Sequence, residues 1–172
     1  IADWLRKPLP PENCQWANFL RNLDELDLER LTAEERQEVF ERFAPEDNMR
    51  IFNRGIRRRL APMLQGNRSH LEMVYSLLFS MPGSPLLVYG DEIGMGEDLE
   101  QSGRGSVRLP MQWNDQKNGG FSDAAREKVV WPPLSSGPFS YKKVNVRSQH
   151  QKQHSLLEWM KKLIRLRKHC RE

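Results

Sequence analysis

Cysteine is nearly absent from this 172-residue chain, with Cys14 and Cys170 lying close to opposite ends. Two cysteines so far apart make no disulfide framework, and no C-x-x-C pair exists to hold a metal, so both are expected as free thiols. Long apolar runs are also missing: nothing approaches the roughly 20 residues needed to span a bilayer. Residues 1–15 lack a secretory leader, because Asp3, Arg6, Lys7 and three prolines interrupt any apolar stretch. Together these absences give a cytoplasmic expectation with no membrane partner, under which the sequon Asn67-Arg68-Ser69 carries no glycan. Hydrophobic residues at 38% and charged residues at 29% describe a somewhat polar globular chain, long enough for one domain with a real core.

The charge is unbalanced towards the positive, at +4. Basic residues gather in "RGIRRRLAP", Arg54–Pro62, and in "KKLIRLRKHCR", Lys161–Arg171. Both are interleaved with apolar residues at helical spacing: Ile56, Leu60, Met63 and Leu64 in the first, Leu156, Met160, Leu163 and Ile164 in the second. That spacing predicts packed helices with a solvated basic face. A basic helical module for nucleic acid is the rival reading. With no zinc pattern or aromatic platform beside the arginines, the expectation is no nucleic-acid partner.

Three helix starts share one signature. "TAEE" at Thr32–Glu35, "SHLE" at Ser69–Glu72 and "SLLE" at Ser155–Glu158 each match the capping box, in which the hydroxyl and the glutamate satisfy two orphan backbone N–H groups reciprocally. The helices that follow are predicted over about 33–44, 70–81 and 156–168. The last ends in Arg165, Arg167, Lys168 and His169, which suit the negative end of a helix. "WANFL", Trp16–Leu20, and "PLLVYG", Pro85–Gly90, read as strands, the second as one buried on both faces. From Gly94 to Ser155, glycine, proline, serine and asparagine dominate, which predicts a long, mostly irregular loop. Strands alternating with helices indicate a parallel α/β architecture, yet two strands make a poor sheet alone.

Both predicted strands end in acids. Leu20 leads into Arg21-Asn22-Leu23-Asp24-Glu25, and Tyr89-Gly90 leads into Asp91-Glu92. Loops beyond the carboxyl ends of strands hold the active sites of α/β folds. Carboxylates there serve as nucleophile, acid, base or charge stabiliser, or merely cap the next turn; spacing alone leaves both open. The histidines His70, His150, His154 and His169 are scattered. His150 and His154, four apart in "QHQKQH", are expected to face water, and no metal or other cofactor is expected.

The motifs themselves say more. "NFLRNLDE" resembles the fourth signature of the α-amylase family of glycoside hydrolases, where barrel strand seven ends in Asn-His-Asp. "MPGSPLLVYGDEIGMG", Met81–Gly96, resembles that family's eighth strand, "SVRLPMQW", Ser106–Trp113, its Arg-Thr-Pro-Met-Gln-Trp loop, and "NGGFS", Asn118–Ser122, its Asn-Ala-Gly-Phe-Ser. Within the family, "CQWANFLRN", "GIRRRLAPML", "YGDEIGMG" and "SLLEWMKKLIRLRK" are most similar to the trehalose synthase (maltose α-D-glucosyltransferase) subgroup.

The resemblance implies a (β/α)₈ barrel, which takes about 250 residues before insertions. The chain would then be the C-terminal part of one catalytic barrel domain: strands seven and eight, their helices and the loop at about 94–154. It implies a retaining enzyme acting on an α-glucoside such as maltose or trehalose by double displacement, with glucosyl transfer within the pocket interconverting the two. Asp24 aligns with the third acid of the mechanism, the transition-state stabiliser. No segment resembles the signatures that carry the nucleophile or the proton donor, so this chain by itself is expected to be inactive and to need the missing N-terminal part of the barrel as its partner.

Two departures from the family pattern bear on the site. Leu23 stands where the family has a histidine that donates hydrogen bonds to sugar hydroxyls. Losing one such contact to the transition state costs roughly 1.5–3 kcal/mol, about 10- to 150-fold in rate. Asn22 and Leu23 are expected on the substrate wall. In Ser102–Leu109 the family's acid and threonine are gone while Arg104 and Arg108 remain, either on the substrate side beside active-site carboxylates or as surface arginines steadying a loop. Gln112 and Trp113 are expected to pack, and Asp91 and Glu92 to hold the loop. An inactive or split fragment of an α-amylase-family hydrolase, or another specificity such as amylase or oligosaccharide α-glucosidase, remain the alternatives within the family.

Overall fold

The computed structural model describes residues 10–170; Asp3, Arg6 and Lys7 lie outside them. Its frame is a parallel pair. Strand β1, Ala17–Asn18, lies beside β5, Ser84–Pro85, with Ala17 opposite Ser84 and Asn18 opposite Pro85. Parallel register sends both chains out at the same end, which brings the segments after Leu20 and after Tyr89 into one neighbourhood. The Nδ2 of Asn18 donates to the Pro82 carbonyl at 2.7 Å and extends the pairing to the lead-in of β5.

Between the paired strands the chain builds a second unit. A three-stranded antiparallel sheet, in the order β2 (Leu26–Asp27), β4 (Gly55–Ile56), β3 (Arg50–Ile51), carries helix α1, Ala33–Phe43. Leu28, Phe40, Ala44, Ile56 and Met63 form the core between them. Next come a single helical turn, α2, Leu60–Met63, and helix α3, Arg68–Ser80. After β5 and a long irregular stretch follow α4, Val146–His150, and α5, Leu156–His169. Helices α3 and α5 pack together through Leu71, Tyr75, Leu78, Phe79, Leu156 and Met160, with α2 beneath them. Arg167 on α5 donates to the carbonyls of Phe79, Met81 and Gly83, closing the end of α3 and the turn into β5.

The capping box at α1 forms as expected: Glu35 N donates to Thr32 Oγ1 at 3.2 Å and Thr32 N to Glu35 Oε2 at 2.9 Å. The other two differ. Helix α3 starts two residues earlier than "SHLE" implies, because Asn67 caps it by accepting from His70 N at 3.0 Å. Asparagine is as good a cap as serine. Ser155 caps α5, but Glu158 bonds Lys161 at 2.7 Å instead of reaching back, so that box is half formed.

The strands are shorter and less covered than expected. Pro85–Gly90 is not buried on both faces: Leu86 is 50% and Tyr89 41% exposed, as are Trp16 at 41% and Phe19 at 52% on the β1 side. The paired strands are only Ala17–Asn18 and Ser84–Pro85, and the segments beyond them are irregular and only partly covered by the described residues. The first basic cluster also departs from its helical reading. Arg54–Arg59 is a turn followed by extended backbone, and only Leu60–Met63 is helical.

Arg54 stays at the surface beside Asp27 and Glu29, whereas Arg57, Arg58 and Arg59 turn inward. Arg59, 4% exposed, donates to the carbonyls of Tyr89 and Val107 (3.2 Å for the latter) and to Asp91 Oδ1 at 3.3 Å. Arg58 Nε donates to Glu97 Oε1 at 2.8 Å while the Arg59 backbone N–H takes Glu97 Oε2 at 3.0 Å. Burial pushes the carboxyls of Asp91 and Glu97 upward, and the adjoining guanidiniums pull them back. Among the described residues no helix is long and apolar enough to cross a membrane.

Replacing Arg59 with Met would remove the cation from the buried Asp91 carboxylate, whose Oδ2 keeps the Val88 N–H, and the side-chain donor from the carbonyls of Tyr89 and Val107. Removing one partner of such a pair costs about 3–5 kcal/mol. The expected outcome is a markedly lower urea midpoint with unchanged m-value; an unchanged midpoint would contradict the role given to Arg59.

Candidate active site

The turn that follows β1 is built by its own side chains. Asn22 Oδ1 accepts from Asp24 N at 3.0 Å, an Asx turn that reverses the backbone and sets the direction of Asp24. Beneath it Arg21, 4% exposed, donates through Nε to the Arg58 carbonyl at 2.9 Å and through Nη2 to the carbonyls of Asp24 at 3.0 Å and Ile56 at 3.3 Å. Burial lowers the Arg21 pKa to about 10, which leaves it cationic at neutral pH. Arg21 went unnoticed in the sequence, although a lone arginine between Leu20 and Leu23 directly after an apolar strand was the available signal.

Asp24 is held from the opposite side by the long loop. Arg108 donates from Nε to the Leu23 carbonyl at 2.9 Å and from Nη2 to Asp24 Oδ1 at 2.6 Å. Arg104 approaches the same Oδ1 with Nε at 3.2 Å and grips Glu25 with two bonds, at 2.7 and 3.0 Å. Both guanidiniums thus converge on Oδ1. Among the described residues Oδ2 carries no hydrogen bond, and the Asp24 side chain is 48% exposed. A carboxylate has about four lone-pair sites, so Asp24 is oriented and charge-balanced on one oxygen and open on the other.

Of the site residues expected from the sequence, Asn22, Leu23, Asp24, Arg104 and Arg108 therefore sit together. Asn22 spends its oxygen on the turn, and Leu23 is bound through its carbonyl, its side chain partly buried. Glu25, missed in the sequence, is the strongest partner of Arg104. Its side chain is 7% exposed, and the hydrogen bonds from Arg104 hold its carboxyl at about 2. Space is tight behind it: a Cβ on Gly55 would lie 2.8 Å from Glu25 Cγ, so the glycine lets β4 pass the glutamate.

The second acidic exit is structural. Asp91 accepts from Val88 N at 3.2 Å as well as from Arg59, and it lies 8% exposed in a tight turn flanked by Gly90 and Gly94, both at positive φ. Gln112, 1% exposed, donates to the carbonyls of Phe139 and Val144 and organises the loop, as expected of a packing residue. Trp113 does not pack as expected: it is 49% exposed, while its backbone donates to the Gly119 carbonyl and accepts from Arg147 N. His150 meets Lys161 and Glu158 on the surface, and among the described residues no cluster of three His, Cys, Asp or Glu is placed to hold a metal. Cys14 and Cys170 are free and exposed.

Comparison with known proteins settles the family. The model for "Alpha amylase, catalytic domain" matches residues 11–172. The chain belongs to the α-amylase family. It is 47% identical over 157 residues to the trehalose synthase of Thermus thermophilus, covering 91% of this chain and 16% of that one. To the trehalose synthase/amylase TreS of Mycolicibacterium smegmatis it is 45% identical over 168 residues, covering 97% and 28%. The chain thus spans less than a third of the length of either relative. Among solved structures, the α-amylase of H. orenii superposes with a TM-score of 0.51 at 25% identity, over 65% of this chain and 20% of that one. The trehalose-6-phosphate hydrolase of Bacillus licheniformis superposes with a TM-score of 0.54 at 20% identity, over 89% and 27%. These likenesses support the α/β architecture expected of the family.

The Glu25–Arg104 pair makes a pH-dependent contribution. The folded-state pKa of Glu25 lies below the value of about 4.3 for an unfolded chain, so the pair stabilises the fold above that value and loses its effect as pH falls towards 2. Glu25→Gln is therefore expected to be less stable than the parent at pH 7, with the difference shrinking steadily through pH 4 to 2.5. Urea midpoints across that range measure it; a gap that widens on acidification would refute it.

Proposed function

We propose that this chain forms the C-terminal part of one catalytic (β/α)₈ barrel, with β1 and β5 as strands seven and eight, in a retaining enzyme that interconverts maltose and trehalose. The observation that carries this reading is Asp24 at the exit of a parallel pair, pinned through Oδ1 by Arg108 and Arg104 with Oδ2 open. The identity to trehalose synthases over most of the chain supports the choice of substrate.

In this proposal an aspartate and a glutamate from the upstream part act as nucleophile and proton donor in a double displacement. Asp24 holds hydroxyls of the glucosyl ring through Oδ2 and gains interaction energy as positive charge develops on the ring. Arg108 and Arg104 hold the carboxylate in place through Oδ1, so no reorganisation is needed when that charge appears. Leaving glucose turns within the pocket and attacks through another hydroxyl; escape to water is the hydrolytic leak. Leu23 adds an apolar wall where a donor would bind the same ring, which lowers the rate without removing the stabiliser.

The exposed side chains of Trp16, Phe19 and Leu86 suit burial against preceding barrel strands. Left uncovered, they favour association of the isolated chain, as exposed apolar sheet surface does. An inactive or split fragment shares this surface, and the open Oδ2 of Asp24 favours the active reading.

The test is a chimera in which residues 11–172 replace the matching segment of the Thermus thermophilus trehalose synthase. The chimera is expected to form trehalose from maltose. Asp24→Asn should lower the rate roughly 10²–10³-fold, as for loss of one transition-state-stabilising group, and Leu23→His should raise it about 10- to 150-fold. A folded chimera whose rate ignores Asp24→Asn would defeat the proposal.

A further inference from the structure

The hairpin between β3 and β4 carries an unusual residue. Arg54 N donates to the Ile51 carbonyl at 3.3 Å, closing a tight turn whose central residues, Phe52 and Asn53, stand at φ of 56° and 54°. Two positive φ values are the type I′ pattern, which favours glycine, asparagine and aspartate. Asn53 obeys the rule; Phe52 breaks it. A bulky residue in the left-handed region is a true outlier and is retained only against its own conformational preference.

Packing does not explain the choice. Phe52 is 58% exposed and takes no part in the cluster of Leu28, Phe40, Ala44, Ile56 and Met63 beneath the same sheet. Among the described residues its cation–ring contact is with Arg104, whose guanidinium carbon lies 5.7 Å from the ring centroid. Arg104 is the residue that grips Glu25 and touches Asp24 Oδ1. Phe52, Arg104 and Asp24 thus form a continuous open strip, with side chains of the last two 43% and 48% exposed.

We infer that Phe52 is a substrate-contact residue: an aromatic platform for the second, leaving glucose of an α-linked disaccharide whose first ring is held by Asp24. A pyranose chair presents an apolar face of C–H groups that an aromatic ring can cover, while its hydroxyls remain available to polar neighbours. Phe52 stands one guanidinium away from Asp24, as the second ring of a disaccharide stands beside the first. The turn places the Phe52 backbone, and the Arg104 guanidinium against the ring holds it at that offset, so less conformational freedom is lost when sugar binds. A glucose held there stays beside the site between its departure and its return. The inference rests on the maltose–trehalose reading and adds to it a residue for the second subsite.

The experiment uses the full-length chimera and reads binding by titration calorimetry alongside turnover. Two ligands are compared: maltose, and 1-deoxynojirimycin, a cationic mimic of the single ring beside Asp24. Phe52→Asn suits the turn, so it is expected to raise the urea midpoint while weakening maltose about 5- to 30-fold, with the single-ring mimic changed less than twofold. It should also raise the share of glucose released to water. Phe52→Tyr should keep maltose affinity within about twofold. Equal maltose affinity in Phe52→Asn overturns the inference and leaves the maltose–trehalose reading standing. Equal loss for both ligands assigns Phe52 to steadying Arg104 and overturns it as well. Differential loss without turnover in any variant supports the platform and counts against the reaction. A folded chimera that binds neither maltose nor the mimic overturns both.

Discussion

Two buried guanidiniums hold this structure together at its functional end. Arg21 and Arg59 are each 4% exposed and lie on the segments that follow β1 and precede α2. Between them they bond carbonyls of Asp24, Ile56, Arg58, Tyr89 and Val107, together with the Asp91 carboxylate. Irregular backbone cannot pair its carbonyls in a ladder, and burying them unpaired is costly. A planar fork with five donors in fixed directions solves this where a lysine could not. The exits of both strands, the small sheet and the long loop are thereby tied to each other through side chains, not through regular secondary structure.

This explains which parts of the molecule were legible in the sequence. The three long helices announce themselves because capping and apolar spacing are local. At α1 the local rule is obeyed in full, and at α3 a second capping residue two positions earlier wins. The strands were legible only as apolar runs, and their exposure was not, since that depends on what lies beside them in space. The cluster Arg54–Pro62 misled for the same reason. Ile56, Leu60 and Met63 do face the core, but from a strand and a short helix, so a helical period fitted positions that no single helix connects. The antiparallel sheet escaped notice because its strands are two residues long and one of them contains a glycine needed for clearance against Glu25.

The site was legible as a set of residues and not as a set of bonds. Asp24, Arg104 and Arg108 were identified through resemblance, with two roles open for the arginines. The structure gives them a single arrangement, in which both cations meet one oxygen of one acid. Glu25 and Arg21 lie inside the same motif without a role assigned to them, yet they set the geometry: Glu25 anchors Arg104 with a bidentate pair, and Arg21 supports the turn from below. Charge balance follows from this layering. Asp24 faces two arginines, one of which is shared with Glu25, so the outer rim stays close to neutral while each charge keeps a fixed direction.

The finished and unfinished surfaces of the chain follow one logic. Where helices α3 and α5 cover the back of the parallel pair, the apolar contacts are closed and Arg167 seals the end. On the other face Phe19 and Leu86 stand open, as does the free oxygen of Asp24. An apolar surface and an unpaired carboxylate oxygen on adjoining parts of a fold ask for different partners, one a layer of side chains and the other a ring of hydroxyls. In the proposed function, preceding barrel strands would supply the first and a bound sugar the second. Leu23 sits at the border between them. Its side chain is partly buried, and the bond from Arg108 is made to its backbone carbonyl, so it keeps the turn in place regardless of what that side chain is. The geometry around Asp24 is therefore insulated from a change of side chain at position 23.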